Sequence, residues 1–463
     1  MGKHRLLIPI LQHFGVRYIL RTKMLLKLSE FVDPIIALSW NDIDLVKEFQ
    51  DLGAEVIEVP PFRFGKEFGI VREQVNSWHR NFRKTPTTKI DHRREYSLKT
   101  PKERILSTLR ELKRSSQLLL PGGLQRLLAD YQRLLWVDTN IEEFESLLSL
   151  AKTDMILSIT PFANREEPLL QAAGKNKISC FTSILSFDNV TTRSWLPIKF
   201  DHYMVWNKYN ANELVRSYPD VKEKDITVTG PPQFDFYYDK TYVWDEEYWR
   251  DSLKIPGGRP IILFGGGTYR VVPNEPFWLS QLDEDISRKK IPNNPIILFR
   301  RHPGDIMDRW QSILNNAKNI VVDQSWMANE KKGQINITRE NIENLVSTLK
   351  HSDVQINASS TLTVDGSVFD RPQIGPAYDA GKKKQFDRVL KDLYIREHYL
   401  PITLSGGLDI VNSREEMNQA ITTAIESPEL LHEGRKKIVR EICTYSDGNC
   451  TNRVVDTIRN LIK

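Results

Sequence analysis

Short apolar runs alternate with amphipathic stretches along most of the chain. RLLIPIL (5–11), PIIALSW (34–40) and AEVIEVP (54–60) have the length and residue types of buried strands. DIDLVKEFQDLG (42–53), lying between the second and third, has helical spacing. Strand, helix, strand with short connections predicts a parallel α/β sheet. Strand-like runs return at DMILSIT (154–160), KISCFTSI (177–184), HYMVWN (202–207) and ITVTG (226–230), where Gly230-Pro231-Pro232 is a strong stop. A second series follows in PIILFGGGTY (260–269), PIILFRRHPGD (295–305), NIVVDQ (319–324), VQINA (354–358) and RPQIG (371–375). Between these lie the helical patterns NEPFWLSQLDEDISRKK, DIMDRWQSILNNAK and TRENIENLVSTLKHSD. PELLHEGRKKIVREI and RVVDTIRNLIK supply the last two helices.

The predicted organisation is two Rossmann-like halves. Residues 1–235 form an N-terminal domain carrying an insertion at about 62–135, polar and basic at first and then amphipathic. Residues 236–250, rich in Tyr, Trp and Asp, read as a linker, and 251–430 form the second domain. Helices in 431–463 are expected to return to the first domain. At 463 residues the chain is too long for one ordinary core, which agrees with two domains.

Composition, 40% hydrophobic and 27% charged, is that of a globular protein, and no apolar run approaches the ~18 residues needed to span a bilayer. The N-terminal MGKHRLLIPILQHF reads as a strand, because its apolar run is short, contains Pro9 and lacks a small-residue cleavage site. Cys180, Cys443 and Cys450 make neither a metal spacing nor a disulfide framework, so a reducing, cytoplasmic setting is expected. The sequons at Asn189, Asn336, Asn357 and Asn449 then read as chance matches. Net charge is +5, but Arg80–Arg114 alone holds twelve Lys/Arg against four Asp/Glu. Aromatic residues are sparse there and no recognition motif accompanies the charge, so nucleic acid is not the expected partner. An anionic acceptor or the inner face of an anionic membrane fits better, beside the plainer reading of a solvated insertion.

The chemistry concentrates at NASSTLTVDGSVFDRP (357–372). Ser359, Ser360 and Thr361 fall where a buried strand ends and a helix begins, and unpaired amides and the positive dipole end suit phosphate. Asp365, about one turn on, is placed to accept from ribose hydroxyls. Ordinary helix capping accounts for the same residues, so both readings stand at this point.

This stretch resembles the donor-binding motif of GT-B glycosyltransferases, notably the enzyme that adds N-acetylglucosamine to the lipid-linked peptidoglycan precursor. There a small-residue loop precedes a carboxylate by six residues and a proline follows it by seven, the spacing of Ser359, Asp365 and Pro372. Asp replaces the usual Glu, and Ser the usual Gly. Gly265-Gly266-Gly267-Thr268 resembles that family's loop beside the donor diphosphate, and glycine permits close backbone approach. Arg300-Arg301-His302-Pro303 is similar to the His-Pro motif of capsule transferases and of CDP-glycerol glycerophosphotransferases, whose histidine touches donor phosphate. Residues 186–235, REHYLPI and SGGL are similar to bacterial surface-carbohydrate transferases of this superfamily, so the likeness covers roughly residues 150–460.

The resemblance implies a GT-B fold of two Rossmann-like domains facing a cleft. It implies transfer of a sugar from a nucleotide-diphosphate sugar to a surface glycan or lipid-linked acceptor. The nucleotide-binding residues would be Gly265, Gly266, Gly267, Thr268, Arg300, His302, Ser359, Ser360, Thr361 and Asp365. His13, after the first strand, is placed like a catalytic base of such enzymes, and imidazole suits that task; Asp188 is a second candidate. No cofactor and no metal are expected, since Asp42-Ile43-Asp44 and Asp283-Glu284-Asp285 read as solvated helix faces. A glycerophosphotransferase or CMP-donor transferase of the same fold, a nucleotide-sugar epimerase and a non-catalytic scaffold are the competing readings.

Overall fold

The computed structural model describes residues 2–462 except 41, 84, 194, 324–336 and 382–385, and leaves out the side chains of 13, 82, 83, 114, 115, 117 and 119. The chain divides into two compact units. The first holds residues 1–89, 99–233 and 449–463, and the second 90–98 and 234–448.

In the first unit seven parallel strands lie in the order β3-β2-β1-β4-β5-β6-β7. They are β1 (His4–Ile10), β2 (Val32–Leu38), β3 (Glu55–Glu58), β4 (Met155–Ser158), β5 (Ser179–Ser183), β6 (His202–Val205) and β7 (Ile226–Val228). Alternate side chains of a strand point to opposite faces. Leu7, Ile35 and Ile156 accordingly enter one apolar cluster, while Leu6, Ile8, Ile36 and Leu157 enter another. Strands buried on both faces read as continuous apolar runs, which is why their sequences stand out.

Two sequence expectations change here. Phe68 and Val75 of the helix Lys66–Arg83, with Leu127, Tyr131 and Leu134 of the helix Gly123–Val137, join the core, so these parts of the insertion are structural. At the other end of the chain, 449–463 falls in the first unit, whereas 431–448 stays in the second. Val454, Val455 and Ile458 pack into the same cluster as Met24, Leu25 and Leu28.

The insertion's middle helix, Pro101–Leu119, has its polarity inverted. Its start is fixed by a capping box between Thr100 and Glu103. Among its described side chains the half-buried ones are the polar Arg104, Ser107 and Glu111, with Leu118 near the end. Ser77 and Asn81 donate to Glu111 (3.2 and 2.7 Å), and Lys99 donates to Ser107 (2.8 Å). Ile105, Leu106, Leu109 and Leu112 are exposed, beside the exposed Lys102, Arg110 and Lys113.

The second unit is a six-stranded parallel sheet ordered β10-β9-β8-β11-β12-β13. Its strands are β8 (Ile261–Gly265), β9 (Ile296–Arg300), β10 (Ile320–Val322), β11 (Val354–Asn357), β12 (Gln373–Pro376) and β13 (Leu408–Val411). The stretch 236–250 is a packed part of this unit and not a free linker. Phe236, Tyr237, Tyr242 and Trp249 are buried, and Trp244 and Trp249 donate to Glu343 and Thr348 of the helix Arg339–His351 (3.2 Å each). Its aromatic content is the content of a contact surface. Ile90–Leu98 also belongs here, held by the ion pairs Arg396–Asp91 (2.9 Å) and Arg93–Asp392.

Candidate active site

Parallel α/β sheets bind ligands outside the carboxyl ends of their strands, at the point where strand order reverses. In the second unit that point lies between β8 and β11. The register puts Gly265 beside Asn357 on one side and beside Arg300 on the other. Three segments far apart in sequence, 265–268, 300–303 and 357–361, therefore leave adjacent strand ends together.

The glycine loop is held closed by the protein itself. Gly266 N–H donates to the Arg300 carbonyl (2.9 Å), and Gly267 N–H donates to both carboxylate oxygens of Glu275 (3.0 and 2.8 Å). A β-carbon on Gly265 would strike Leu362, and one on Gly267 would meet Val272. Close packing thus explains Gly265 and Gly267, and the amides of Gly266 and Gly267 are not open to a diphosphate. Thr268 is half-buried at the end of this loop.

The arginines also differ from expectation. Arg300 is buried and ion-paired with Asp323, which accepts in addition from Asn344 (3.2 Å). Arg301 is buried and donates to the Asp305 carbonyl. A guanidinium taken out of water needs such partners, and both serve the fold. His302 is the exposed member of the cluster. Its Nδ1 accepts from the Gly304 N–H (2.9 Å), which leaves Nε2 carrying the proton in the neutral ring. Desolvation by the surrounding loop holds the His302 pKa below the ordinary histidine value, opposed by Asp305 and reinforced by Arg301. In this neutral tautomer Nε2–H is a hydrogen-bond donor.

At the exit of β11, Ser359 has a left-handed backbone (φ 47°) and donates to the Leu393 carbonyl (3.1 Å). Ser360 Oγ accepts from Leu362 N–H (3.2 Å), and Thr361 is exposed at the start of the helix Leu362–Val368. Asp365 is buried, and Tyr237 donates to its carboxylate. Sequence reasoning missed that partner, because the two residues are 128 positions apart.

It also missed Asn357, the last residue of β11. Its Oδ1 accepts from Thr363 (2.7 Å), which in turn contacts Tyr399 (2.8 Å), and its buried Nδ2 has no hydrogen-bond partner among the described residues. The one local signal was an amide closing an apolar strand.

In the first unit the reversal lies between β1 and β4. His13 begins the helix His13–Val16 directly beyond β1, and its side chain lies outside the described residues. Asp188 follows β5, and its carboxylate accepts from its own turn, from Ser186 (2.5 Å) and Asn189 (3.1 Å). Beyond β4 stands Glu166, fully buried and accepting from Ser158 (2.5 Å) and Thr160. Burial pushes its carboxyl up to about 7, against the two hydroxyl donors.

The acidic triplets have fold-level partners. Asp42 caps the helix Ile43–Asp51. Asp283 accepts from the amides of Lys318 and Asn319, while Glu284 and Asp285 bind Arg414. Among the described residues no group of three or more His, Cys, Asp or Glu is placed to hold a metal ion, and no helix is long and apolar enough to cross a membrane.

Two Rossmann-like units, each a parallel sheet with a strand-order reversal, are the architecture of the GT-B fold, which transferases and nucleotide-sugar epimerases share. The sequence pattern of the CDP-glycerol:poly(glycerophosphate) glycerophosphotransferases matches residues 186–460, more than half of the chain, and the protein belongs to that family. It is 26% identical over 248 residues to the teichoic acid ribitol-phosphate polymerase TarL of Staphylococcus aureus. That alignment covers 52% of this chain and 38% of TarL, so the chain spans well under half of that relative. The Neisseria meningitidis UDP-GlcNAc 2-epimerase, solved bound to UDP-GlcNAc, is similar in fold, with TM-score 0.57, 12% identity, and coverage of 98% of this chain and 100% of that one. A Rickettsia africae glycosyltransferase gives TM-score 0.51 and 13% identity with both chains fully covered.

Proposed function

We propose that the protein transfers an alditol phosphate from a cytidine-diphosphate-linked donor to a hydroxyl of an anionic surface polymer or its lipid-linked precursor. The acceptor oxygen attacks the distal phosphorus, a phosphodiester forms, the bond to the bridging oxygen breaks, and CMP leaves. The acceptor's proton passes to a base, for which His13 is the candidate. The family match across the unit that holds the three strand-end loops carries this reading, and the Nε2–H of His302 supports it as the donor to phosphate. Thr268, Ser360, Thr361 and Asn357 are the polar groups proposed to complete the nucleotide site. Glycosyl transfer from a nucleotide sugar, the first reading of the sequence, needs the same fold but releases a nucleoside diphosphate.

The experiment follows the nucleotide product. With CDP-glycerol or CDP-ribitol and a polyol-phosphate acceptor the expected product is CMP, formed equally with EDTA present. UDP or CDP released from a sugar donor, with no CMP from either alditol donor, would reject the proposal in favour of glycosyl transfer. Loss of turnover in EDTA would reject the metal-free form of it.

The reading extends to location. The helix Pro101–Leu119 presents apolar side chains and basic residues to solvent, the pattern of a helix lying at an anionic lipid interface. A lipid-linked acceptor would be met at that surface.

A further inference from the structure

One side chain joins the loops beyond β8 and β9. Arg309 is the second residue of the helix Asp308–Leu314, and its guanidinium is almost wholly enclosed. Toward the loop after β8 it donates to the carbonyls of Gly267 (2.8 Å) and Val272 (2.9 Å) and to Glu275 Oε2 (3.0 Å). Toward the loop after β9 its Nε donates to Asp305 Oδ2 (2.6 Å). The two carboxylates extend the junction. Glu275 receives the Gly267 amide, while Asp305 receives the Tyr269 amide (3.1 Å) and the Trp310 indole (2.8 Å).

His302 hangs from the same junction. Asp305 N–H donates to the His302 carbonyl (3.0 Å), and Gly304 N–H fixes the ring nitrogen. A planar fork with five donors can hold this many acceptors at fixed angles, whereas a lysine ammonium cannot.

We propose that Arg309 is a positioning residue for the nucleotide site: it sets the spacing between the two loops and so places His302 Nε2–H for donor phosphate. This rests on the assignment of His302 to donor phosphate made above. Arg309 itself touches no substrate in this scheme.

The test uses the full chain carrying Arg309→Lys, Arg309→Ala, His302→Ala or both alanines, each checked for cooperative melting. CMP affinity and KM for the CDP-linked donor are the readouts. Arg309→Lys is expected to fold, and to weaken CMP binding and raise KM about tenfold while kcat changes less, since ground-state placement is lost. Millimolar methylguanidinium should restore part of the CMP affinity of Arg309→Ala and none of that of His302→Ala. The double variant should be no weaker than His302→Ala alone, because both changes remove one contact. If His302→Ala is weak but Arg309→Lys binds CMP normally, or if the two losses add, the positioning role is overturned while the site assignment stands. If His302→Ala binds CMP normally, the site assignment fails and the proposal with it. Should Arg309→Ala not fold, the lysine variant decides alone.

Discussion

Tyr237 donates its phenolic proton to the carboxylate of Asp365, and both side chains are buried in the second unit. This contact gives Asp365 a structural task before any ligand arrives. Tyr237→Phe removes a buried donor from the carboxylate and should cost about 1–3 kcal/mol in denaturant unfolding. A carboxylate that served ribose alone would show unchanged stability in this variant and in Asp365→Asn.

The Arg300–Asp323 pair divides the Arg-Arg-His cluster by role. Arg300→Ala removes the counter-charge of a buried carboxylate, leaving it the weaker Asn344 amide, and should destabilise by about 3 kcal/mol. His302→Ala removes a side chain held by one turn hydrogen bond from Gly304 N–H, and should cost far less stability than Arg300→Ala while lowering CMP affinity. Calorimetric titration of both variants beside their melting curves checks this; a stable Arg300→Ala protein with lost affinity would reverse the assignment.

Glu166 makes stability depend on pH. Its folded pKa, about 7, lies above the ordinary carboxylate value, so the folded state holds the proton more tightly than the unfolded one. Stability is then highest below about 4.5 for this group, and declines as pH rises through 7, by up to roughly 3 kcal/mol. Glu166→Gln should flatten that decline in unfolding curves taken between pH 5 and pH 8. Equal slopes in the two proteins would show that Glu166 is ionised when folded.

The inverted helix makes a surface prediction. Leu109→Ser with Leu112→Ser alters exposed side chains and should leave the melting temperature nearly unchanged. Co-sedimentation with vesicles rich in phosphatidylglycerol should fall severalfold relative to the unaltered chain, each buried CH₂ being worth ~0.8 kcal/mol. Neutral phosphatidylcholine vesicles should bind neither protein well. Binding that ignores both the leucines and the lipid charge would remove the membrane role.

Most of the fold was legible because strands buried on both faces are nearly pure apolar runs between turn residues, as in IILFG and IILFR. The strand β13 escaped because LDIV is short, only half-buried, and follows the glycines of SGGL. The three strand-end loops of the second unit were also readable, since each follows such a run. Their internal roles were not. Arg300 looked like a phosphate ligand because Asp323, its partner, is 23 residues away on another strand's exit. Glu275 and Arg309, 34 residues apart, gave no periodic sign of meeting. The aromatic stretch 236–250 suggested a linker because packing against a helix about a hundred residues later leaves no local trace.

The apolar cluster around Met24, Leu25 and Leu28 is finished by Val454, Val455 and Ile458. During synthesis this seat stays empty until more than four hundred further residues have left the ribosome, and the second unit can fold before the first is complete. The nascent first unit therefore carries Met24, Leu25 and Leu28 without their C-terminal cover until the last helix has been made.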